Sequence, residues 1–242
     1  ADMLTAYYSK GCSSKQMFAG LEISKNPGFE QHLNKSDLIH LDVQWCMMDA
    51  GTPESTVAYI NDHLIAELKE AYPHVPLDYV KTAYGALSSI HNASGNRFVL
   101  IRDEAANEKI QDEYINFLRG MFKGSEPTKF IQLAYLTGIL PIKKIRTQSA
   151  LNNFSEFTMI DARVFAKYIG FTEDEVKASC RKYGTNFEDV KRWYDGYLLE
   201  GYSVYNPKAV VEVLTWNKFQ SYWSETGTYD AIVREYEKKS VN

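Results

Sequence analysis

RFVLIRDEAANEKIQDEY, Arg97 to Tyr114, joins a buried-strand pattern to a pair of acids. Phe98 to Ile101 is a continuous apolar run, and an Asp–Glu pair follows it after a single arginine. A short run of this kind reads as a strand buried on both faces, and such strands belong to parallel sheets covered by helices. In open α/β proteins ligands bind at the carboxyl ends of the strands. Asp103 and Glu104 are therefore candidate acids for metal and water chemistry. The opposing reading puts them in the loop that leads into a helix near Asn107, where a helix N-terminus favours acidic side chains. Arg102 moves the pair by one residue, and side chains alternate faces along a strand.

Leu38 to Trp45 is a second β-run. Lys129 to Gly138 reads as a long strand, with Thr137 at its end either a candidate nucleotide sensor or an ordinary strand end, and Phe157 to Ile160 as a short last strand. Helical spacing predicts helices over Asp2–Tyr8, from Thr52 to about Tyr72, over Leu77–Ile90 and from near Asn107 to Phe122. Thr52 caps the second of these ahead of Pro53. Strands alternating with helices give an α/β class, a parallel sheet flanked by helices. From Asp161 the texture changes to short capped helices: Asp161–Ile169, Thr172–Tyr183, Asn186–Tyr194 and one after Pro207. Thr172 with Glu175 forms a capping box. This half reads as a small helical, lid-like unit over residues 161–223, after a core over 1–160 and before a tail over 224–242.

Composition narrows the classes. The chain has 242 residues, 45% hydrophobic and 24% charged, which is ordinary for a globular protein. A net charge of −4 argues against coating nucleic acid through bulk charge. Cys12, Cys46 and Cys180 form no CxxC pair, so no metal site or disulfide framework is expected, and reduced thiols in a cytoplasmic protein are. No apolar run approaches the ~20 residues of a membrane span, so no membrane contact is expected. The glycosylation patterns at Asn34, Asn92 and Asn153 read as chance. Glu67-Leu-Lys69 matches a nuclease tripeptide but falls on an amphipathic helix.

Two further clusters stand out. Lys143, Lys144, Arg146, Thr147 and Ser149 follow the long strand, where they would receive phosphates at the sheet edge or form a solvated loop. Arg192-Trp193-Tyr194-Asp195-Gly196-Tyr197, then Tyr205-Asn206-Pro207, is dense in aromatics, with Asp195-Gly196 expected as a tight turn. A phosphate loop would need Gly-Lys followed by Ser or Thr, and the pair Gly-Lys occurs nowhere in the chain.

At these residues the sequence resembles the predicted AAA-ATPase-like family of prokaryotic proteins, whose members often carry a PD-(D/E)XK nuclease-like domain. The matching stretches are Met3–Cys12, Leu41–Trp45, Tyr114–Gly124, Leu136–Lys144, Gln148–Met159, Arg192–Tyr197 and Tyr205–Pro207. The resemblance implies a P-loop NTPase core, ATP and magnesium as ligands, and Arg192, Trp193, Tyr194, Asp195, Tyr205 and Asn206 as a lid motif. Family members also carry a phosphate loop before the first helix and a strand ending Asp-Glu-Trp-Asp. Both are missing from this chain, so Asp103-Glu104 corresponds to the downstream helix start and the core is incomplete. The expected activity is ATP binding and hydrolysis, with hydrolysis lost in this chain alone. Nucleic acid would be met only through a nuclease-like domain, which the sequence does not support. The rival expectation is a non-enzymatic binding module that holds a protein partner with the aromatic unit and the 143–149 loop. For the sheet, either an outside strand fills the centre, or Phe130–Leu136 pairs directly with Phe98–Ile101 and the sheet ends there.

Overall fold

A computed structural model describes residues 1–103, 111–138, 153–158 and 161–222. The chain divides into two compact units, Ala1–Phe154 and Ser155–Asn242.

The first unit runs α1 (Asp2–Tyr8), α2 (Lys15–Phe18), α3 (Phe29–His32), β1 (Asp37–Asp42), α4 (Val43–Ala50), α5 (Thr56–Ala71), α6 (Ala83–Ser94), β2 (Phe98–Asp103), α7 (Gln111–Phe122), α8 (Pro127–Phe130) and β3 (Ile131–Thr137). The strands form a parallel sheet in the order β1-β2-β3. β2 is central, with Phe98 to Arg102 all buried, as its apolar run requires. β2 pairs directly with β3, and among the described residues the sheet ends there.

One face of the sheet carries the core. Ile39, Leu41, Phe98 and Leu100 pack with Ile60, Leu64 and Leu68 of α5, Leu87 and Ile90 of α6, and Leu118 and Met121 of α7. Val99 and Ile101 are fully buried and turn to the opposite face, and α1 lies against β1 and β2. Leu4 and Tyr8 of α1 are partly buried.

Local chemistry sets the element ends. Asp42 accepts the Trp45 amide at 2.9 Å and so starts α4 at Val43. The β-run expected to reach Trp45 therefore stops at Asp42, because a capping carboxylate overrides the strand preference of Val43 and Trp45. Thr82 caps α6 at Ala83, so Leu77 to Thr82 lies outside the helix expected there. Pro127 sits at the start of the one-turn α8, which puts Lys129 and Phe130 in helix and delays β3 to Ile131. Phe157 and Thr158 belong to no strand, so the part of the expected last strand that is described is not one.

The second unit holds a 3₁₀ turn (Arg163–Tyr168), β4 (Phe171–Thr172), α9 (Glu173–Tyr183), α10 (Phe187–Tyr194), β5 (Asp195–Leu199), β6 (Tyr202–Tyr205) and α11 (Pro207–Trp216). The helices expected in this unit are joined by strands that were not: a three-stranded antiparallel sheet, β4-β6-β5, runs through it. Asp195-Gly196 is strand rather than turn. The reversal lies at Glu200-Gly201, both at positive φ, 48° and 84°. The capping box at Thr172 is formed, and Asn186 and Asn206 cap α10 and α11. Val176, Cys180, Val190, Tyr205, Val210 and Val213 make this unit's core.

Cys12, Cys46 and Cys180 are all free. Among the described residues no helix is long and apolar enough to cross a membrane.

Candidate functional site

The parallel register brings three polar side chains into one row at the carboxyl edge of the sheet. Asp42 ends β1 opposite Asp103, and Asp103 ends β2 opposite Thr137 at the end of β3. Asp103 is the hub. The Thr137 hydroxyl donates to its Oδ1 at 2.5 Å, and His40 Nε2 lies 3.3 Å from its Oδ2. His40 belongs to this row because it lies two residues before Asp42 on β1, and side chains two apart share a face. Burial pushes the Asp103 carboxyl upward, but the hydrogen bonds from Thr137 and His40 outweigh it and hold the group below the ordinary carboxylate value. Asp103 therefore stays ionised at neutral pH.

Arg102, one residue earlier, faces the other way. It is fully buried, its guanidinium 4.7 Å from the centre of the Tyr114 ring on α7. The single-residue displacement foreseen from the sequence is thus real in space. Arg102 enters the helix-covered core, and Asp103 is left on the face of His40 and Thr137.

Of the residues singled out in the sequence, Asp103 and Thr137 come together. The expectation that Asp103 opens a loop is corrected, because it closes β2 in register with both neighbours. Glu104, Lys143, Lys144, Arg146, Thr147 and Ser149 lie outside the described residues. His40 and Asp42 were not foreseen as site residues. The alternation within β1 would have paired them, but which strand they meet is set by register.

Magnesium binds through one or two carboxylates, substrate phosphates and retained waters, so a site for it needs few protein ligands. Among the described residues no group of three His, Cys, Asp or Glu could hold a metal on its own. One ionised Asp103 carboxylate beside a hydroxyl fits a phosphate-bound magnesium and does not fit an all-protein metal cage.

The aromatic motif of the second unit forms a packed corner. The Tyr194 hydroxyl donates to the Gln220 carbonyl at 2.9 Å and accepts the Gln220 amide at 3.1 Å. Its ring stacks on Phe219. Tyr205 is fully buried, and burial pushes its phenol well up. Asn206 accepts the Ala209 amide at 3.1 Å as a helix cap. Trp193, half exposed, Asp195 and Arg192 face outward, Arg192 lying 3.5 Å from Asp189. Nearby, Glu173 accepts hydrogen bonds from Lys177 and then Lys191, which hold its carboxyl down to about 2.

No family model matches the chain, and no solved structure matches it. It is 29% identical over 154 residues to a protein of Azotobacter chroococcum mcd 1 described as an uncharacterized protein in the vnfD 5′ region. That match covers 59% of this chain and 30% of the relative's length. The structure itself defines the class: an α/β protein with a parallel sheet flanked by helices.

Proposed function

We propose that this chain is the sheet-bearing part of an ATP-binding and ATP-hydrolysing protein of the AAA-ATPase-like kind, with an incomplete P-loop core. The observation that carries the proposal is the ionised Asp103 carboxylate paired to Thr137 at the carboxyl ends of neighbouring parallel strands, where nucleotides bind in such sheets. Asp103 would hold a magnesium ion carried by the nucleotide, and that ion would neutralise phosphate charge. Thr137 and His40 fix the carboxylate's orientation. Lys143, Lys144, Arg146 and Thr147 follow β3 in sequence and are the proposed phosphate contacts. Because no Gly-Lys pair occurs in the 242 residues, the chain by itself is proposed to bind Mg-ATP without hydrolysing it. A cytoplasmic setting belongs to the same reading.

The half-exposed Trp193 and Tyr197 favour a second reading, a binding module for a protein partner. Isothermal titration separates the two. The ATP reading expects saturable heat with Mg-ATP that Lys144→Ala with Arg146→Ala weakens, while the module expects no heat at all. Heat unchanged by the double substitution would remove the 143–149 loop from the site.

A further inference from the structure

Among the described residues β1 is paired to a strand, β2, on one side only. Its other side opens into a groove of about 460 Å³ walled by Tyr59, His63 and Glu67 of α5. The molecule already uses this edge just before β1 begins. Ser9 bridges Ser36 in parallel, with the Lys10 amide donating to the Ser36 carbonyl and the Ser36 amide to the Tyr8 carbonyl, both at 2.9 Å. In an extended chain, every second residue turns its amide and carbonyl to the same side. Leu38 and His40 therefore present theirs to the side on which Ser9 bonds Ser36. The pairing stops after one bridge because Gly11, at φ 85°, turns the chain away.

Exposed edges are ordinarily blunted by lysine, proline or a bulge. β1, Asp37-Leu-Ile-His-Leu-Asp42, has no lysine, proline or bulge; its charged residues are the acids at its two ends, and its register with β2 is unbroken. Charge then selects the occupant. Asp42 and Glu67 line the groove, and Asp49 beside it holds the Tyr59 phenol. Lys10, at one end, is committed to Asp37 at 2.9 Å. Trp45 also lines the groove and is 63% exposed, which offers an indole face to a cation.

We propose that the open edge of β1 takes an added strand, an extended peptide with lysine or arginine at alternate positions. Backbone pairing to Leu38 and His40 supplies affinity, and Glu67 on α5 with the exposed Trp45 selects the basic side chains, which alternate positions place on one face of the added strand.

Fluorescence anisotropy with a labelled peptide of four Lys-Val repeats tests this on the full chain. Saturable binding is expected, with the matching Glu-Val peptide about tenfold weaker or worse. Leu38→Pro removes one outward amide and leaves the β2 ladder in place, so it should weaken binding about fivefold. Should that variant fail to fold, the Lys-Val peptide N-methylated at alternate residues probes the same hydrogen bonds on the unaltered chain and should bind as weakly. No saturable binding, equal binding of the two charge types, or full binding by Leu38→Pro or the N-methylated peptide would overturn the proposal.

Discussion

Asp103 is held ionised against its own burial by Thr137 and His40, so each neighbour has a measurable share in its state. Its folded value lies below its unfolded one, so its stabilisation is present above the ordinary carboxylate range and disappears as pH falls through the folded value. Glu173 behaves likewise, between its ordinary 4.5 and about 2. Acid titration of far-UV circular dichroism should therefore show Glu173→Gln losing part of the wild-type pH dependence between those values, and no change would remove the Lys177 and Lys191 contacts from the account. Asn34 acts by geometry. At φ 55°, its side-chain amide uses its two hydrogens on the Ala6 carbonyl at 2.9 Å and the Ser14 hydroxyl at 3.0 Å. These bonds tie the end of α1 to the start of β1. Asn34→Ala loses both the bonds and the tolerated conformation and should cost about 1–3 kcal/mol by thermal melt, with Asn34→Gly recovering only the conformational share.

Among the elements, Gly170 shows how tightly β6 is approached. A Cβ there would meet the Tyr205 carbonyl oxygen at 2.5 Å and Val204 Cγ1 at 2.8 Å. Backbone cannot swing aside as a side chain does, so Gly170→Ala should destabilise the second unit by about 1–3 kcal/mol. A melt within experimental error of wild type would contradict the close packing. Elements punctuated by local chemistry were legible in the sequence: α9, α10 and α11 carry their caps at Thr172, Asn186 and Asn206. β5 and β6 were not, because Asp195-Gly196 has turn chemistry, and only pairing to Tyr205 and Val204 makes the segment a strand. Likewise β3 began late because one proline outweighed an apolar pattern. Asp103 and Thr137 could be found as strand ends. The company of His40 and Asp42 depended on register, which is fixed by contacts more than fifty residues apart in the chain.

In the molecule as a whole, the sheet of the first unit is the frame on which function is proposed. β2 is buried along its length, and the Asp42–Asp103–Thr137 row lies at its carboxyl edge. β3 is different: Leu133 and Tyr135, on the face of Thr137, are 40% and 45% exposed. The chemistry therefore gathers at one edge and one face, with Arg102 committed to the other. If that edge is the nucleotide site, Mg-ATP and Asp103 must be coupled, whatever the remaining residues contribute. Calorimetric titration of the full chain with Mg-ATP, beside Asp103→Asn and Thr137→Ala, measures that coupling. Saturable heat is expected for the wild type, with a loss of at least about tenfold in affinity for Asp103→Asn and a smaller loss for Thr137→Ala. Identical titrations for wild type and Asp103→Asn, with both variants folded by circular dichroism, would contradict that coupling.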